Sequence, residues 1–354
     1  VRQPHPPSIF GFIIQVHCPS SPGAGAYATP TVVDHVKLFR NLPKIRFSGR
    51  IHEQVLPAIR RAGGEVVWTD LFVVHSGADT TPDGHSRKLA RDLRLLELEL
   101  AQDPDNTFSL FNWGMTLLDA GKTNEALNAL ARSLQVSGTG DSHVRKIYAL
   151  LAQAYSALGR QATALYTCIQ GLAQCPADPE LLFRKGTLEH SLGRLEDAEA
   201  SFKLLLEVDC ERHFSSVDRG IFGIKLWHNL GLLYEQQGQH AEAVAAWRRV
   251  RSCDQGNRAG WRGLIYALAA SGDRGAVEQA AVDLHAFGDD PALAAIARAR
   301  VHEIDHEWET ALGTLTVALG GGVNLELLHE LCRIAFAGDR LDDARMFRIS
   351  RHFI

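Results

Sequence analysis

His52 and Glu53 place an imidazole next to a carboxylate inside the polar stretch GRIHEQ, residues 49–54. A carboxylate in such a position can act as a general base and take the proton from an attacking hydroxyl group. The alternative is a surface glutamate in the first turn of a helix, where the helix dipole favours a negative charge. A zinc-protease motif is excluded here, because Leu56 stands where that motif needs its second histidine.

A second candidate histidine, His75, ends the apolar segment VVWTDLFVVH. An imidazole nitrogen is a common ligand of divalent metal ions, but a histidine at the end of a strand can equally make an ordinary core contact. Three basic residues could contact phosphate groups, namely Arg40, Arg50 and Lys88. The simpler interpretation of each of the three is a charge on the protein surface.

The elements that must position these residues follow from the apolar pattern. Ile9–His17 and Val36–Arg40 are predicted strands. Residues 19–30 between them form a loop rich in Gly and Pro, which is either a wall of an acceptor pocket or a plain connection. Apolar residues at helical spacing predict a helix over Arg50–Ala62, and Glu65–Val74 returns as an apolar strand. The order strand, helix, strand is typical of an α/β architecture.

Four short motifs occur in order along this region: LFRN, GRIHEQ, AGG and VVHSG. Together they resemble the C-terminal half of a family 2 glycosyltransferase domain of the GT-A type, in the subgroup that continues into tetratricopeptide repeats. The resemblance covers residues 1–92 and implies a partial α/β, GT-A-like domain. It also implies that the parent protein transfers a sugar, with inversion, from a nucleotide sugar to the hydroxyl of a protein or glycan acceptor.

The resemblance also implies roles for the candidate residues. His52 and Glu53 fall on the acidic motif beneath the acceptor site, which makes Glu53 the candidate base. His75 becomes a candidate ligand of a divalent metal, Mn or Mg, that also holds the sugar diphosphate. The candidates for contacts with the phosphates are Arg40, Arg50 and Lys88.

The family holds its nucleotide and its Asp-x-Asp metal motif in the N-terminal half, which would lie upstream of Val1. The stretch Asp103-Pro104-Asp105 lies instead in a connection into later helices, and we interpret it as a linker. We therefore expect a fragment that by itself neither binds a nucleotide sugar tightly nor transfers a sugar. The alternative function is a non-catalytic scaffold for protein interactions.

In the remainder of the chain, residues 93–354, helical pairs recur with a fixed period. Gly159 and Gly193 lie 34 residues apart, and so do Gly238 and Gly272. Each unit carries a small residue where two helices would cross closely, and a large residue that would fill the gap to the next hairpin. The pattern predicts an all-α tetratricopeptide solenoid of six or seven repeats, interrupted by an insertion around residues 210–225. The whole chain is therefore expected to be α+β, with a groove in the repeats that binds a protein partner.

Composition and charge argue against several other classes of protein. A net charge of −4 is too close to neutral for a nucleic-acid-binding protein or a polybasic membrane-binding protein. The longest early apolar run, Ile9–Val16, is too short to span a bilayer. The six cysteines are scattered without a Cys-x-x-Cys pair, which is typical of reduced thiols in a cytoplasmic protein.

One further stretch, His302-Glu303-Ile304-Asp305-His306, matches the HExxH pattern of zinc proteases. The repeat register places His306 at a turn between two helices. The two histidines would then not share one helical face, so we do not interpret the match as a metal site.

Overall fold

The computed structural model describes residues 6–18, 31–75, 81–138, 141–208, 217–287, 290–320 and 324–338. Within them the chain combines a small mixed sheet with a long series of helices, which confirms the expected α+β class. The Gly-rich and Pro-rich segment 19–30 and the last predicted repeat, after residue 338, lie outside the described residues. The chain divides into two compact units, Val1–Phe222 and Gly223–Ile354, which are described in turn.

The first unit contains a four-stranded sheet in the order β3-β1-β2-β4. Its strands are β1 Ile9–Cys18, β2 Thr31–Phe39, β3 Glu65–Val74 and β4 Val217–Asp218. β1 is parallel to β3 and antiparallel to β2, and β4 is antiparallel to β2. The predicted strand Val36–Arg40 was too short, because the pairing of β2 with β1 already begins at Thr31. The strands before and after the predicted helix lie on opposite sides of β1.

The helix predicted over Arg50–Ala62 is wrong in its extent, because α1 spans only Leu56–Arg61. The residues before it turn back on themselves. The backbones of Ser48 and Gln54 exchange two hydrogen bonds, of 3.0 and 2.9 Å. His52, inside this turn, has a φ of 54°, which a right-handed helix cannot contain.

Helix α1 anchors this turn to the apolar core of the sheet. Ile59 on α1 is fully buried and packs with Ile45 and Val55, which lie on either side of the turn. Val36 of β2 packs against the same cluster. The turn is therefore held at both of its ends by buried aliphatic side chains.

The first of the remaining helices of this unit is α2, Pro82–Gln102, and Thr81 is the capping residue just before it. The hydroxyl of Thr81 accepts the N–H of Gly84 at 3.1 Å. Three helical hairpins follow: α3 Thr107–Asp119 with α4 Thr123–Val136, α5 Val144–Ala157 with α6 Gln161–Gln174, and α7 Pro179–Ser191 with α8 Leu195–Leu206. Residues 103–105 lie between α2 and α3, as expected of a linker. The domain boundary predicted between residues 92 and 93 falls within α2 and stays a prediction.

The predicted insertion is described from residue 217 onward, and its first described residues pair with the sheet. The sequence did not indicate this pairing. Val217–Asp218 forms β4, and Val217 and Asp218 pair with Val32 and Thr31 of β2. A 3-10 turn, Arg219–Phe222, follows directly. The sheet and the first three hairpins thus belong to one compact unit.

The second unit consists of helices in its described part. Their bounds are α9 Ile224–Gln236, α10 His240–Cys253, α11 Arg258–Ala270, α12 Arg274–Phe287, α13 Pro291–Ile304, α14 Trp308–Leu319 and α15 Leu325–Ala337. Over the described residues of both units, six hairpins and a final helix agree with the predicted repeats. No helix in the described part of the chain combines the length and the apolar character needed to cross a membrane.

Each hairpin that carries a helical glycine at its crossing brings two helices into close contact there. A Cβ atom added to Gly231 on α9 would lie 2.6 Å from the indole of Trp247 on α10. The same distance separates such an atom at Gly186 from the ring of Phe202. Both large side chains are almost completely buried. In these two hairpins a small residue lies at the close crossing, as predicted, and the large residue fills the space within the same hairpin.

His306 of the HExxH-like stretch lies at a turn between two helices, as the repeat register predicted. Helix α13 ends at Ile304, and His306 lies beyond it with a φ of 60°. The ring of His302 instead contacts the carboxylate of Glu307 at 2.8 Å. Across the ranges that the structure describes, no group of three or more His, Cys, Asp or Glu side chains could hold a metal ion.

We expect Gly231→Ala to lower the free energy of unfolding of the second unit by about 1–3 kcal/mol, because the added methyl group overlaps the ring of Trp247. Equilibrium denaturation measures this change. Gly313→Ala on α14 is the matched control, since an added Cβ there meets nothing within 4 Å. It should stabilise the helix by about 0.5–1 kcal/mol. A change of the same sign in both variants would contradict the close-contact explanation.

We also expect a fragment of residues 223–354 to fold without the rest of the chain. Its hairpins bury their own apolar cluster, which includes Ile296, Leu315 and Leu331. Far-UV circular dichroism of the fragment should show a helical spectrum that is lost cooperatively on heating. A disordered spectrum would mean that this unit depends on the first one.

Candidate functional site

The candidate base lies in a tight backbone turn, the His52 corner, which comprises residues 48–54. Gly49 has a φ of 98° and His52 a φ of 54°, so both adopt left-handed backbone conformations. A residue with a side chain loses about 1–2 kcal/mol in this conformation. Such strain is found preferentially at functional sites, where the surrounding structure maintains it. At His52 the maintaining contacts are the paired backbones of Ser48 and Gln54.

The imidazole of His52 is half-buried, and its Nε2 atom is buried without a hydrogen-bond partner among the described residues. Burial lowers the pKa of His52; Asp92 opposes this shift and Lys88 adds to it. The buried carboxylate of Asp92 accepts two hydrogen bonds from Arg91, of 3.0 and 2.7 Å. The lowered pKa favours the neutral form of the His52 ring.

Glu53 follows His52 directly, and its side chain is exposed. It lies three residues before the first residue of α1, so it is not a first-turn glutamate of that helix. Its assignment as a general base stays a prediction.

Two of the predicted phosphate-binding residues lie near the corner. The guanidinium of Arg50 lies 3.4 Å from the carboxylate of Glu99 on α2. Lys88, also on α2, is close enough to His52 to influence its pKa. Arg50, in the corner, thus contacts α2, and Lys88 belongs to α2.

Arg40 and His75 occupy other positions. The guanidinium of Arg40 lies over the ring of Phe10, 5.4 Å from its centre. His75 is exposed at the end of β3, where its backbone N–H donates to the carbonyl of His17 at 2.9 Å. Among the described residues, no group of three or more metal-ligating side chains lies around His75. The role of His75 as a metal ligand stays a prediction.

A cleft of about 710 Å³, the corner cleft, opens beside the His52 corner within the first unit. One wall is the corner and the start of α1. The facing wall is formed by the end of α2, the start of α3 and the residues just before α5. Polar groups on the walls include His52, Arg60, Glu99, Asp103, Asn106 and His143.

Apolar and aromatic groups stiffen the repeat side of this cleft. The ring of His143 packs against Phe108 and Phe111, with centres 5.8 and 5.5 Å apart. Burial lowers the pKa of His143, and its Nε2 lies 3.2 Å from the hydroxyl of Ser137. Sequence reasoning did not find His143 or Glu99. On this side of the cleft, the sequence analysis had singled out only Asp103 and Asp105, as parts of the linker Asp-Pro-Asp.

The comparisons with known proteins first identify the class of the helical part. Residues 179–209 and 224–257 both match the family model of the tetratricopeptide repeat. The first range corresponds to the hairpin of α7 and α8, and the second to that of α9 and α10. These two hairpins of the helical part therefore match the tetratricopeptide repeat.

Two curated proteins are also similar to part of the chain. They are the prophage-derived glycosyltransferase SunS of Bacillus subtilis and the glycosyltransferase SunS of Bacillus phage SPbeta. Each is 27% identical over 119 residues, which is 34% of this chain and 28% of the relative. The match thus spans little more than a quarter of the length of these relatives.

Among solved structures, a tetratricopeptide repeat protein from Parabacteroides merdae is 20% identical, covers 71% of this chain and 93% of that one, and has a TM-score of 0.44. PilF of Pseudomonas aeruginosa is 15% identical, covers 64% of this chain and 97% of that one, and has a TM-score of 0.47. At these scores neither structure supports an argument about function.

We expect His52 to titrate below its ordinary pKa of about 6.5, because burial disfavours the charged ring. As the pH falls through about 6.5 the unfolded chain takes up the proton first. Titration of His52 therefore lowers the free energy of unfolding below that pH and leaves it unchanged above it. NMR titration of the histidine rings measures the midpoint, and His52→Asn identifies the signal, since Asn tolerates a positive φ. A midpoint at or above 6.5 would contradict the buried, unpaired imidazole.

Proposed function

We propose that this chain is part of an inverting glycosyltransferase that moves a sugar from a nucleotide sugar to an acceptor hydroxyl, and that the acceptor binds in the corner cleft. The ordered motifs of residues 37–77 and the partial similarity to the SunS glycosyltransferases support the reaction class. The match to SunS covers 34% of this chain. The acceptor, a protein or a glycan, is part of the proposal.

The observation that carries the proposal is the composition of the corner cleft. One wall belongs to the segment with the transferase-like motif, and the other belongs to the first repeats. An acceptor in this cleft would contact both His52 and the start of α3 or α5. Its volume of about 710 Å³ lies within the range of ligand pockets. A repeat region that contributes to an acceptor site would explain why the two parts share one compact unit.

In the proposed reaction the acceptor oxygen forms a bond to the anomeric carbon of the sugar. The bond from that carbon to the diphosphate oxygen breaks, and its electron pair leaves with the diphosphate. In this proposal the proton of the acceptor hydroxyl passes to the carboxylate of Glu53, whose exposed side chain follows His52 directly but is not among the residues that line the cleft. His52 lines the cleft in which the acceptor would bind, whereas its Nε2 atom is buried.

The second candidate function is a non-catalytic scaffold of tetratricopeptide repeats that binds a protein partner. The exposed side chain of Glu53 favours this alternative, as does the lack of a three-ligand cluster in the described residues. A cytoplasmic location is proposed for either function, because the cysteines that the structure describes are free thiols. Transfer assays with UDP-sugars and GDP-sugars in the presence of Mn distinguish the two functions.

We expect Glu53→Gln to lower kcat by roughly 10²–10⁴-fold, because glutamine keeps the shape of the side chain but cannot accept the proton. The assay is run on this chain and on the longest open reading frame that contains it. Binding of the nucleotide sugar, measured by calorimetry, should hardly change.

Glu65→Gln is the matched control, since Glu65 is an exposed glutamate at the start of β3 with no proposed role. Equal loss of activity in both variants, or no loss in either, would show that Glu53 is not the base. If neither protein transfers a sugar, the scaffold function is favoured.

A further inference from the structure

The His52 corner has two left-handed residues close together in the chain. Gly49, with a φ of 98°, and His52, with a φ of 54°, flank Arg50 and Ile51. The tip of the corner is compact, because a Cβ atom added to Gly49 would lie 3.2 Å from the carbonyl oxygen of Ile51. Since the left-handed conformation is unfavourable for a residue with a side chain, other contacts must stabilise it at His52.

Contacts within the corner hold its two ends. The backbones of Ser48 and Gln54 exchange two hydrogen bonds, and the hydroxyl of Ser48 also donates to the carbonyl of Gln54 at 3.3 Å. The side-chain amide of Gln54 donates to the carbonyl of His52 at 3.4 Å. These contacts close the turn, but they do not use the backbone N–H of Arg50 in its tip.

The backbone N–H of Arg50 has its partner on α2, 49 residues later in the chain. It donates to Oε2 of Glu99 at 3.3 Å, and Nε of the Arg50 guanidinium lies 3.4 Å from the same oxygen. Glu99 also lines the corner cleft. Its side chain is only 23% exposed, so water and salt screen these contacts less than they screen a pair on the open surface.

The rest of α2 keeps Glu99 beside the corner. Lys88, Asp92, Leu96 and Glu99 recur at helical spacing and therefore share one face of α2. Leu96 is almost completely buried and lines the corner cleft together with Glu99. Asp92 is buried, and the charges of Asp92 and Lys88 both influence the pKa of His52. This face of α2 thus lies along the corner for about three turns of the helix.

We propose that Glu99 is a positioning residue, which holds the His52 corner in its left-handed conformation through the backbone N–H of Arg50. The corner carries both His52 and Glu53, so its backbone conformation determines where these two side chains lie. Glu99 acts through the corner and is not a catalytic residue. The conformational effect is independent of any reaction, whereas an effect on sugar transfer rests on the function proposed above.

The two contacts of Glu99 have different consequences. If the guanidinium of Arg50 were the important partner, Arg50→Met and Glu99→Ala would disturb the corner equally. If the backbone N–H is the important partner, Arg50→Met keeps the hydrogen bond. Glu99→Gln also keeps it, because the amide oxygen of glutamine is an acceptor. The proposal predicts the second pattern, since the N–H belongs to the backbone of the tip.

NMR of the full chain, isotope-labelled at arginine and histidine, measures the corner directly. A positive φ brings the amide and Hα protons of a residue close together, so His52 should give a strong NOE between them. Glu99→Ala should weaken this NOE and speed the amide hydrogen exchange of Arg50 about fivefold or more. Arg50→Met and Glu99→Gln should keep the strong NOE of His52.

Glu97→Ala is the matched control, because Glu97 is an exposed glutamate on the same helix, and it should leave both signals as in the parent chain. Glu99→Asp keeps the charge but shortens the side chain, and should disturb the corner as Glu99→Ala does. It is the deciding variant if Glu99→Ala does not fold. The proposal is overturned if Glu99→Ala or Glu99→Asp keeps the strong NOE and the slow exchange, or if Arg50→Met loses the NOE.

In a longer protein that transfers a sugar, Glu99→Ala should lower kcat about 10–100-fold, because the groups carried by the corner are misplaced. The KM for the nucleotide sugar should stay unchanged, and Glu99→Gln should recover most of kcat. Unchanged kcat in Glu99→Ala would overturn the positioning role in transfer. If no protein transfers a sugar while the NOE pattern is as expected, the effect of Glu99 on the corner is supported and the proposed transferase fails by itself.

Discussion

The close approach of two helices at one small residue is the contact on which much of the repeat architecture depends. Where Gly231 meets Trp247, the absence of a side chain on one helix lets a large ring from the other fill the space. The buried ring then reaches the next hairpin, since Gly263 on α11 touches the same indole. One residue therefore joins three helices. The same ring lines a cavity of about 590 Å³ in the second unit, so the packing of the core also shapes that cavity.

In the first unit, a different constraint shapes the candidate site. The His52 corner combines a left-handed residue with a closed backbone turn, and buried aliphatic residues hold it at both ends. Helix α2 passes beside it and contributes Asp92, Lys88 and Glu99 to the surroundings of the corner. β4, which follows the first three hairpins in the chain, pairs with β2 of the sheet. The corner is thus part of a framework that includes the repeats, and the corner cleft is a consequence of that framework.

Two cavities in the described part of the chain have different linings. The corner cleft is bordered by His52, which has a left-handed backbone conformation, and by other titratable side chains. A cavity of about 590 Å³ among the helices of the second unit is lined by Trp247 and by the largely exposed Leu325. A loss of sugar transfer that depends on Glu53 would favour the transferase over the scaffold.

The sequence by itself determined the features that depend on local spacing. The period of 34 residues and the small and large residues that recur within it predicted the repeats, because each hairpin is built from residues close in the chain. The strand Glu65–Val74 was predicted for the same reason, from its largely apolar residues. The exclusion of the HExxH-like stretch as a metal site also followed from the local repeat register.

Only the tertiary structure decided the features that join distant residues. Helical spacing over residues 50–62 predicted a long helix, but the left-handed backbone at His52 and the buried contacts of Ile59 shortened it. The contact of the corner with α2, the return of residues 217–218 to the sheet and the position of His143 on the cleft all cross long stretches of sequence. No periodic pattern carries such information, because it arises from the packing of whole elements against one another. The candidate base could therefore be named from the sequence, whereas its exposure and the cleft beside it could not.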